Sequence, residues 1–255
     1  MTQEERPTEK PAAPPLSEPF RSFARLSDFL VDGPLGGPKS FKLSWIINFQ
    51  KGGTCFFVAA LMAFYDCWVP AAWVYLALHG SYGLCWLLKD FSFPDPHWQR
   101  RVTFLGIVNA FLFVLGPYWL IPFVLISGHF AVDAASIEAP RLALAISVHT
   151  IGLALMLAAD AQKYFTLRVK RGLIRDGLFR HIRHPNYSGE MMIYGAYALI
   201  VGHWLPWLIL ASVWGLVFAT NIAAKELSMS RYPEWAEYTR RTGYLFPRLW
   251  LKRRD

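Results

Sequence analysis

TFLGIVNAFLFVLGPYWLIPFVLIS, residues 103–127, runs for twenty-five positions without one charged side chain. A helix of that length rises roughly 37 Å, more than the ~30 Å hydrocarbon core of a bilayer, so the run reads as a membrane span. Working outward, comparable apolar stretches lie at 53–69, 71–88, 142–159, 191–203 and 207–224, with 53–69 and 191–203 the shortest. Composition points the same way. With 54% hydrophobic, 16% aromatic and only 17% charged residues among 255, the chain is too apolar for an ordinary soluble domain of its size. The expected fold is all-α, a polytopic membrane helical bundle of about six transmembrane helices.

Charge provides an independent reading of topology, because Lys and Arg concentrate in cytoplasmic connections. The tract 161–187 carries Lys163, Arg168, Lys170, Arg171, Arg175, Arg180 and Arg183, and the tail after Ala224 is equally basic. The connections 66–70, 128–140 and 202–206 carry none. Alternation of this kind places both termini on the cytoplasmic side. It also accounts for the net charge of +8 through inner loops facing anionic lipid, so no nucleic-acid partner is needed, and no nucleic-acid motif is present.

Cys55, Cys67 and Cys85 lie in or beside the spans. The first two stand twelve residues apart on one expected helix, roughly 18 Å, which excludes a disulfide between them. No His/Cys spacing fits a metal site, so none is expected. Residues 1–40, rich in Pro, Glu, Ser and Gly, read as a disordered or surface-lying arm ahead of a transmembrane helical domain over 41–255. Residues 41–49 read as an interfacial segment, with Trp45 at the headgroup level.

Inside the spans the few polar residues fall into stripes at helical spacing. Tyr75, His79, Tyr82 and Trp86 make one; His149, Gly152, Met156, Asp160 and Lys163 a second; Asn186, Glu190, Tyr194 and Tyr197 a third. Polar faces turn from lipid toward a shared interior or a wet cavity. Singly, Tyr75, His149, Tyr194 and Tyr197 read as ties between helices. Asp160 and Glu190 read differently, because each heads or ends a span beside the basic tract, and a carboxylate in hydrocarbon costs roughly 2.5 to 3.5 kcal/mol. Between them, Pro185 opens a helix whose free amides favour an anion, with Arg180, Arg183 and His184 just ahead. A phosphorylated cofactor would find its cradle there.

Asp160-Ala161-Gln162-Lys163, Gly177-Leu178-Phe179, Arg183-His184-Pro185-Asn186-Tyr187-Ser188-Gly189-Glu190 and Arg231-Tyr232-Pro233-Glu234-Trp235-Ala236-Glu237-Tyr238 with Phe246-Pro247 resemble the C-terminal domain of the steroid 5-alpha-reductase family, particularly its microbial branch. The resemblance covers about residues 159–248. It implies NADPH-dependent reduction of a carbon–carbon double bond conjugated to a carbonyl, in a steroid-like or enoyl-lipid substrate, at a membrane cavity open to the cytosol. By that likeness Asn186 and Glu190 would contact the dinucleotide, Asp160 would hold part of it, and Arg168 or Arg171 would face phosphate. Lys163, Arg183, His184 and Tyr187 fall in the same motifs and complete the expected cofactor set.

The chain is similar, more distantly, to the isoprenylcysteine carboxyl methyltransferases. That likeness rests on Arg183-His184-Pro185, Glu226 and Trp235-Ala236-Glu237-Tyr238, and it implies S-adenosylmethionine as the alternative cofactor, with a lipid or prenylcysteine carboxylate as substrate. The sequence departs from the steroid-reducing pattern in one respect. Where those enzymes carry Gln-Glu before an early span, this chain has Gln50-Lys51, and Gly80 stands where their tyrosine is expected. The usual acid is absent, which leaves Tyr82 or His79 to supply the proton, or leaves the bundle as a non-catalytic membrane subunit.

Overall fold

A computed structural model describes residues 17–32 and 36–248. Helix α1 (Glu18–Asp32) is followed by a short antiparallel pair, β1 (Phe41–Lys42) with β2 (Arg101–Val102), in the register Phe41 to Val102 and Lys42 to Arg101. Between those strands α2 (Leu43–Phe64) and α3 (Pro70–Ser92) cross and return. The third span, Phe104–Ile126, is α4 (Phe104–Ala110), a π-helical turn at Phe111–Leu115, a 3-10 turn at Gly116–Trp119 and α5 (Leu120–Ile126). Pro117 and Pro122 lack amide hydrogens, so this helix changes its hydrogen-bonding register along its length. Then come α6 (Ala139–Val169), α7 (Pro185–Val201), and the last span Trp204–Met229, made of α8 (Trp204–Val213), a π turn at Trp214–Phe218 and α9 (Ala219–Met229). A short α10 (Trp235–Arg241) closes the described chain.

Five of these helices are long and apolar enough to cross a membrane by themselves, and with almost no sheet the protein is an all-α polytopic membrane bundle. The sixth expected crossing is α7. At seventeen residues it spans roughly 26 Å, and twelve of its residues are buried, so it runs through the bundle rather than along lipid. Its closest neighbour is α6. A side chain at Gly152 would meet the Gly189 carbonyl oxygen at 2.7 Å, and one at Gly189 would meet the Gly152 carbonyl oxygen at 2.5 Å, so the two backbones touch only because both residues are glycine.

Two expectations are corrected. The first span begins at Leu43, ten residues before the expected 53, and residues 43–49 are its first turns instead of an interfacial segment. Its polar start is built into the fold: the Leu43 and Ser44 amides donate to the carbonyls of Arg100 (3.0 Å) and Trp98 (2.8 Å), and Asn48 bonds Asp90 (2.7 Å) and Trp86 (3.0 Å). Within the N-terminal arm, residues 18–32 form α1; residues 1–16 and 33–35 lie outside the described residues.

The bundle has two distinct ends. At one, Lys89 of α3 pairs with Asp160 of α6, and Arg183 beside α7 pairs with Glu226 of α9. This is the basic end. At the other, Tyr65 and Phe123 contact His129, and Phe130 contacts His203. Arg141, the cation nearest that end of α6, donates to the Leu199 carbonyl at the end of α7 (2.5 Å) and lies against Gly202, whose φ of +64° turns the chain. Its charge there completes a helix terminus.

Candidate functional site

The three polar stripes face one another. Tyr197 of α7 stacks on His79 of α3 (4.4 Å between ring centroids), contacts Tyr75 (4.9 Å), and hydrogen-bonds His149 of α6 (3.1 Å). Nearer the basic end, Tyr82 meets Tyr194 (5.8 Å). Between these rings sits Lys51 of α2, only 6% exposed, its ammonium donating to the hydroxyls of both Tyr82 and Tyr194. The rings of Tyr82, Trp86 and Tyr194 close round the same nitrogen at 4.7 to 4.8 Å. A buried ammonium in hydrocarbon demands such compensation: π faces and hydroxyl oxygens replace its water. His79 is buried beside them, and neither of its ring nitrogens has a hydrogen-bond partner; the same holds for the Gln50 side-chain oxygen.

Above this chamber, at the basic end, the last turn of α3, the loop 93–96 and the last turns of α6 enclose a cleft of about 220 Å³. Its charged lining is Lys89, Asp95, Asp160, Lys163 and Arg168. Lys89 pairs with Asp160 (3.1 Å) and Lys163 with Asp95 (3.2 Å). Burial by itself would raise the Asp95 carboxyl, but Lys163 and the His97 amide (2.9 Å) hold it below the ordinary carboxylate range. Arg168 bonds only the Tyr164 hydroxyl (3.0 Å) and has no acidic partner among the described residues. The cleft therefore carries one uncompensated cation at its rim, a setting that attracts an anion.

Asn186 and Glu190, on the first turns of α7, are half-buried, and neither makes a hydrogen bond or ion pair with a described residue. The Glu190 carboxylate lies within electrostatic reach of Lys51 on one side and Lys225 of α9 on the other. Lys225 itself donates to the Tyr187 hydroxyl (3.0 Å) and covers that ring at 4.5 Å. Polar groups inside a membrane bundle are normally paired. These two are poised and unspent.

The turn just ahead of them is tied down. Ile182 bridges Gly243, the Arg183 and His184 amides donate to the carbonyls of Gly243 (2.9 Å) and Tyr244 (3.2 Å), and the Ser188 hydroxyl donates to the Leu245 carbonyl. Arg183 donates to Glu226 (2.9 Å) and to the Thr242 carbonyl (3.0 Å), while His184 bonds the same Glu226 oxygen (2.7 Å). Burial pushes the His184 imidazole below its ordinary value against the pull of Glu226, so at neutral pH it is an uncharged donor to that carboxylate. The Tyr238 hydroxyl donates to the Phe179 carbonyl (2.8 Å), and burial pushes that phenol up to about 12.

The expected residues thus divide. Asp160, Lys163 and Arg168 line the cleft; Asn186, Tyr187 and Glu190 lie on α7, Tyr187 against Lys225 and Glu190 in reach of Lys51 and Lys225; Tyr82 and His79 line the chamber below. Arg183 and His184 are placed apart from the cleft, within the C-terminal clasp, and Arg171 is exposed beyond the end of α6. Sequence reasoning missed Lys51, Lys89 and Lys225 because the spans were trimmed at the first charge. Continuing the α3 stripe by one step, from Trp86 to Lys89, would have found one of them.

The family described as protein of unknown function, DUF1295, matches residues 95–242, more than half of the chain. The chain belongs to that family. Two curated proteins of Schizosaccharomyces pombe, both described only as uncharacterized, are similar to it. One is 32% identical over 93 residues, covering 34% of this chain and 27% of its own length. The other is 44% identical over 41 residues, covering 16% of this chain and 15% of its own. The chain thus matches less than a third of the length of either relative.

Proposed function

We propose that this DUF1295 member is an NADPH-dependent reductase of a conjugated carbon–carbon double bond in a lipophilic substrate, with its cleft open to the cytosol. The observation that carries the reading is the unpaired state of Asn186 and Glu190 on the first turns of α7, with Glu190 in electrostatic reach of Lys51 in the tyrosine chamber. The residues fit the cofactor in chemistry: Arg168 and Lys163 suit phosphate, while the Asn186 amide offers a donor and an acceptor, and the Glu190 carboxylate an acceptor, to ribose or nicotinamide groups. The cleft of about 220 Å³ suits part of a dinucleotide, the remainder reaching toward Glu190.

When bound, NADPH supplies the hydride. The protein's own task is to stabilise and protonate the oxygen of the carbonyl as charge gathers there. Tyr82 is placed for this. Its oxygen accepts from the Lys51 ammonium, which would stabilise the phenolate left behind if the Tyr82 proton passed to a substrate oxygen. On this reading Lys51 does with a positive charge what the missing carboxylic acid would have done with a proton, and His79, with both nitrogens unpaired, is the second candidate donor.

The methyltransferase reading keeps one observation in its favour: Arg183, His184 and Glu226 do converge. Against it, these groups already satisfy one another and the 239–245 backbone, so S-adenosylmethionine would have to displace internal bonds.

Titrating NADPH into purified protein in nanodiscs tests both. Saturable binding is expected, weakened at least tenfold, or about 1.4 kcal/mol, by Glu190→Ala. Binding that Glu190→Ala leaves unchanged contradicts the assignment. Thermal stabilisation by S-adenosylhomocysteine but not by NADP decides for the methyltransferase, since only a ligand of the native state raises the melting temperature. A protein stabilised by neither is the non-catalytic subunit.

A further inference from the structure

Helix α1 has an apolar arc wider than the surface it packs on. Phe20, Phe23, Ala24, Ser27 and Leu30 are half-buried and share one side, which lies against α4 and α9. Leu26 lies just past the edge of that contact and Phe29 farther round, facing away from the bundle; they are 52% and 56% exposed. The opposite flank carries Arg21, Arg25 and Asp28, and Asp28 pairs with Arg100 (3.2 Å). An amphipathic helix with an uncovered apolar flank beside membrane spans has one natural cover, the lipid itself.

Depth supports this. The Leu30 carbonyl accepts from the Asn109 side chain (2.9 Å), and Asn109 lies five residues into the span Phe104–Ile126. At 1.5 Å per residue the end of α1 therefore sits roughly 7.5 Å below the start of that span, the depth at which interfacial helices bury their apolar faces. The adjoining surface is continuous with it: Phe104, the first residue of α4, is 65% exposed and packs on Phe41 (5.9 Å), which in turn meets the exposed Trp45 (6.1 Å).

The site that α1 covers is informative too. The third and last spans meet toward the other end, where α5 packs on α8, whereas α4 and α9 are bridged by α1. Each span carries its π-helical turn between those two regions, at Phe111–Leu115 and at Trp214–Phe218, and the Trp214 indole N–H there is buried without a partner. Single π turns inside α-helices recur at functional sites. Beyond the fork, α9 holds Lys225, the neighbour of Glu190.

We propose that α1 is a membrane-interface helix, with Leu26 and Phe29 among the acyl chains of the leaflet at the basic end, covering a lipid-facing fork between the third and last spans. The partner is the phospholipid leaflet, and the proposal stands whether or not the cleft binds NADPH. The full chain is placed in phosphatidylcholine–phosphatidylglycerol nanodiscs with p-benzoylphenylalanine substituted at Leu26, Phe29 or, as a control, Asp28. On irradiation, phospholipid adducts are expected at Leu26 and Phe29 in about tenfold excess over Asp28. In the unsubstituted protein, hydroxyl-radical oxidation of Phe29 should be as low as that of Phe113, which is 65% exposed on the third span. Cross-links from Phe29 into the chain's own residues or into a second copy, no adduct at all, or oxidation of Phe29 well above that of Phe113 would overturn the proposal.

Discussion

The two sides of the turn that opens α7 differ in how their polar groups are spent. Arg183 and His184, just ahead of Pro185, are fully engaged with Glu226 and the backbone of residues 242–244. Asn186 and Glu190, just after it, have no partner among the described residues. One motif of eight residues thus contains a structural clasp and a set of groups held open. In hydrocarbon an unspent carboxylate is costly, so the contrast separates groups that hold the fold from groups that, on the proposed function, await a ligand.

The contrast can be broken most forcefully through Glu226. Glu226→Ala strands Arg183 and His184 in a largely buried place, at a cost of about 3 kcal/mol, and the apparent melting temperature should fall by several degrees. The same substitution should leave NADPH affinity within about twofold if the clasp is only structural. Loss of affinity with unchanged melting temperature would reverse the assignment of the two regions.

Acid should loosen the clasp by a smaller amount. Because the folded protein holds His184 below its ordinary value, its contribution is fully present above the unfolded pKa of about 6.5 and is lost as pH falls toward the depressed folded value. Stability read from melting curves should decline from pH 7.5 to 5, and His184→Gln should flatten that slope. An unchanged slope would show that His184 is not the titrating group.

The smallest expected effect sharpens the cleft side. Arg168→Ala should weaken NADPH severalfold, by about 1 kcal/mol, whereas Arg171→Ala, outside the cleft, should leave binding unchanged. Equal effects would return both arginines to a general attraction for anions, visible as a shared dependence on salt.

The spans were legible because length and hydropathy are local properties. The polar stripes were legible too, since a helix fixes which residues share a face, and Tyr82, His149, Tyr194 and Tyr197 do meet. The role of Lys51 was not. Gln50-Lys51 reads as a departure from the reductase pattern until Tyr82 and Tyr194, 31 and 143 positions away in sequence, are seen to accept hydrogen bonds from the lysine. The clasp was hidden for the same reason: Arg183 and His184 look like a phosphate cradle until Glu226 and Gly243 are placed beside them. Both are long-range pairings, and spacing within one helix carries no information about them.

The shortness and burial of α7 bear on what counts as a unit of the bundle. A seventeen-residue segment headed by Asn186 and Glu190, burying most of its side chains in protein, gains little from lipid on its own. The thirty-one-residue α6 is a strong anchor, and its Gly152 meets Gly189 backbone to backbone. The two therefore form one hairpin unit of the folded bundle, with the basic tract 170–184 as its bend.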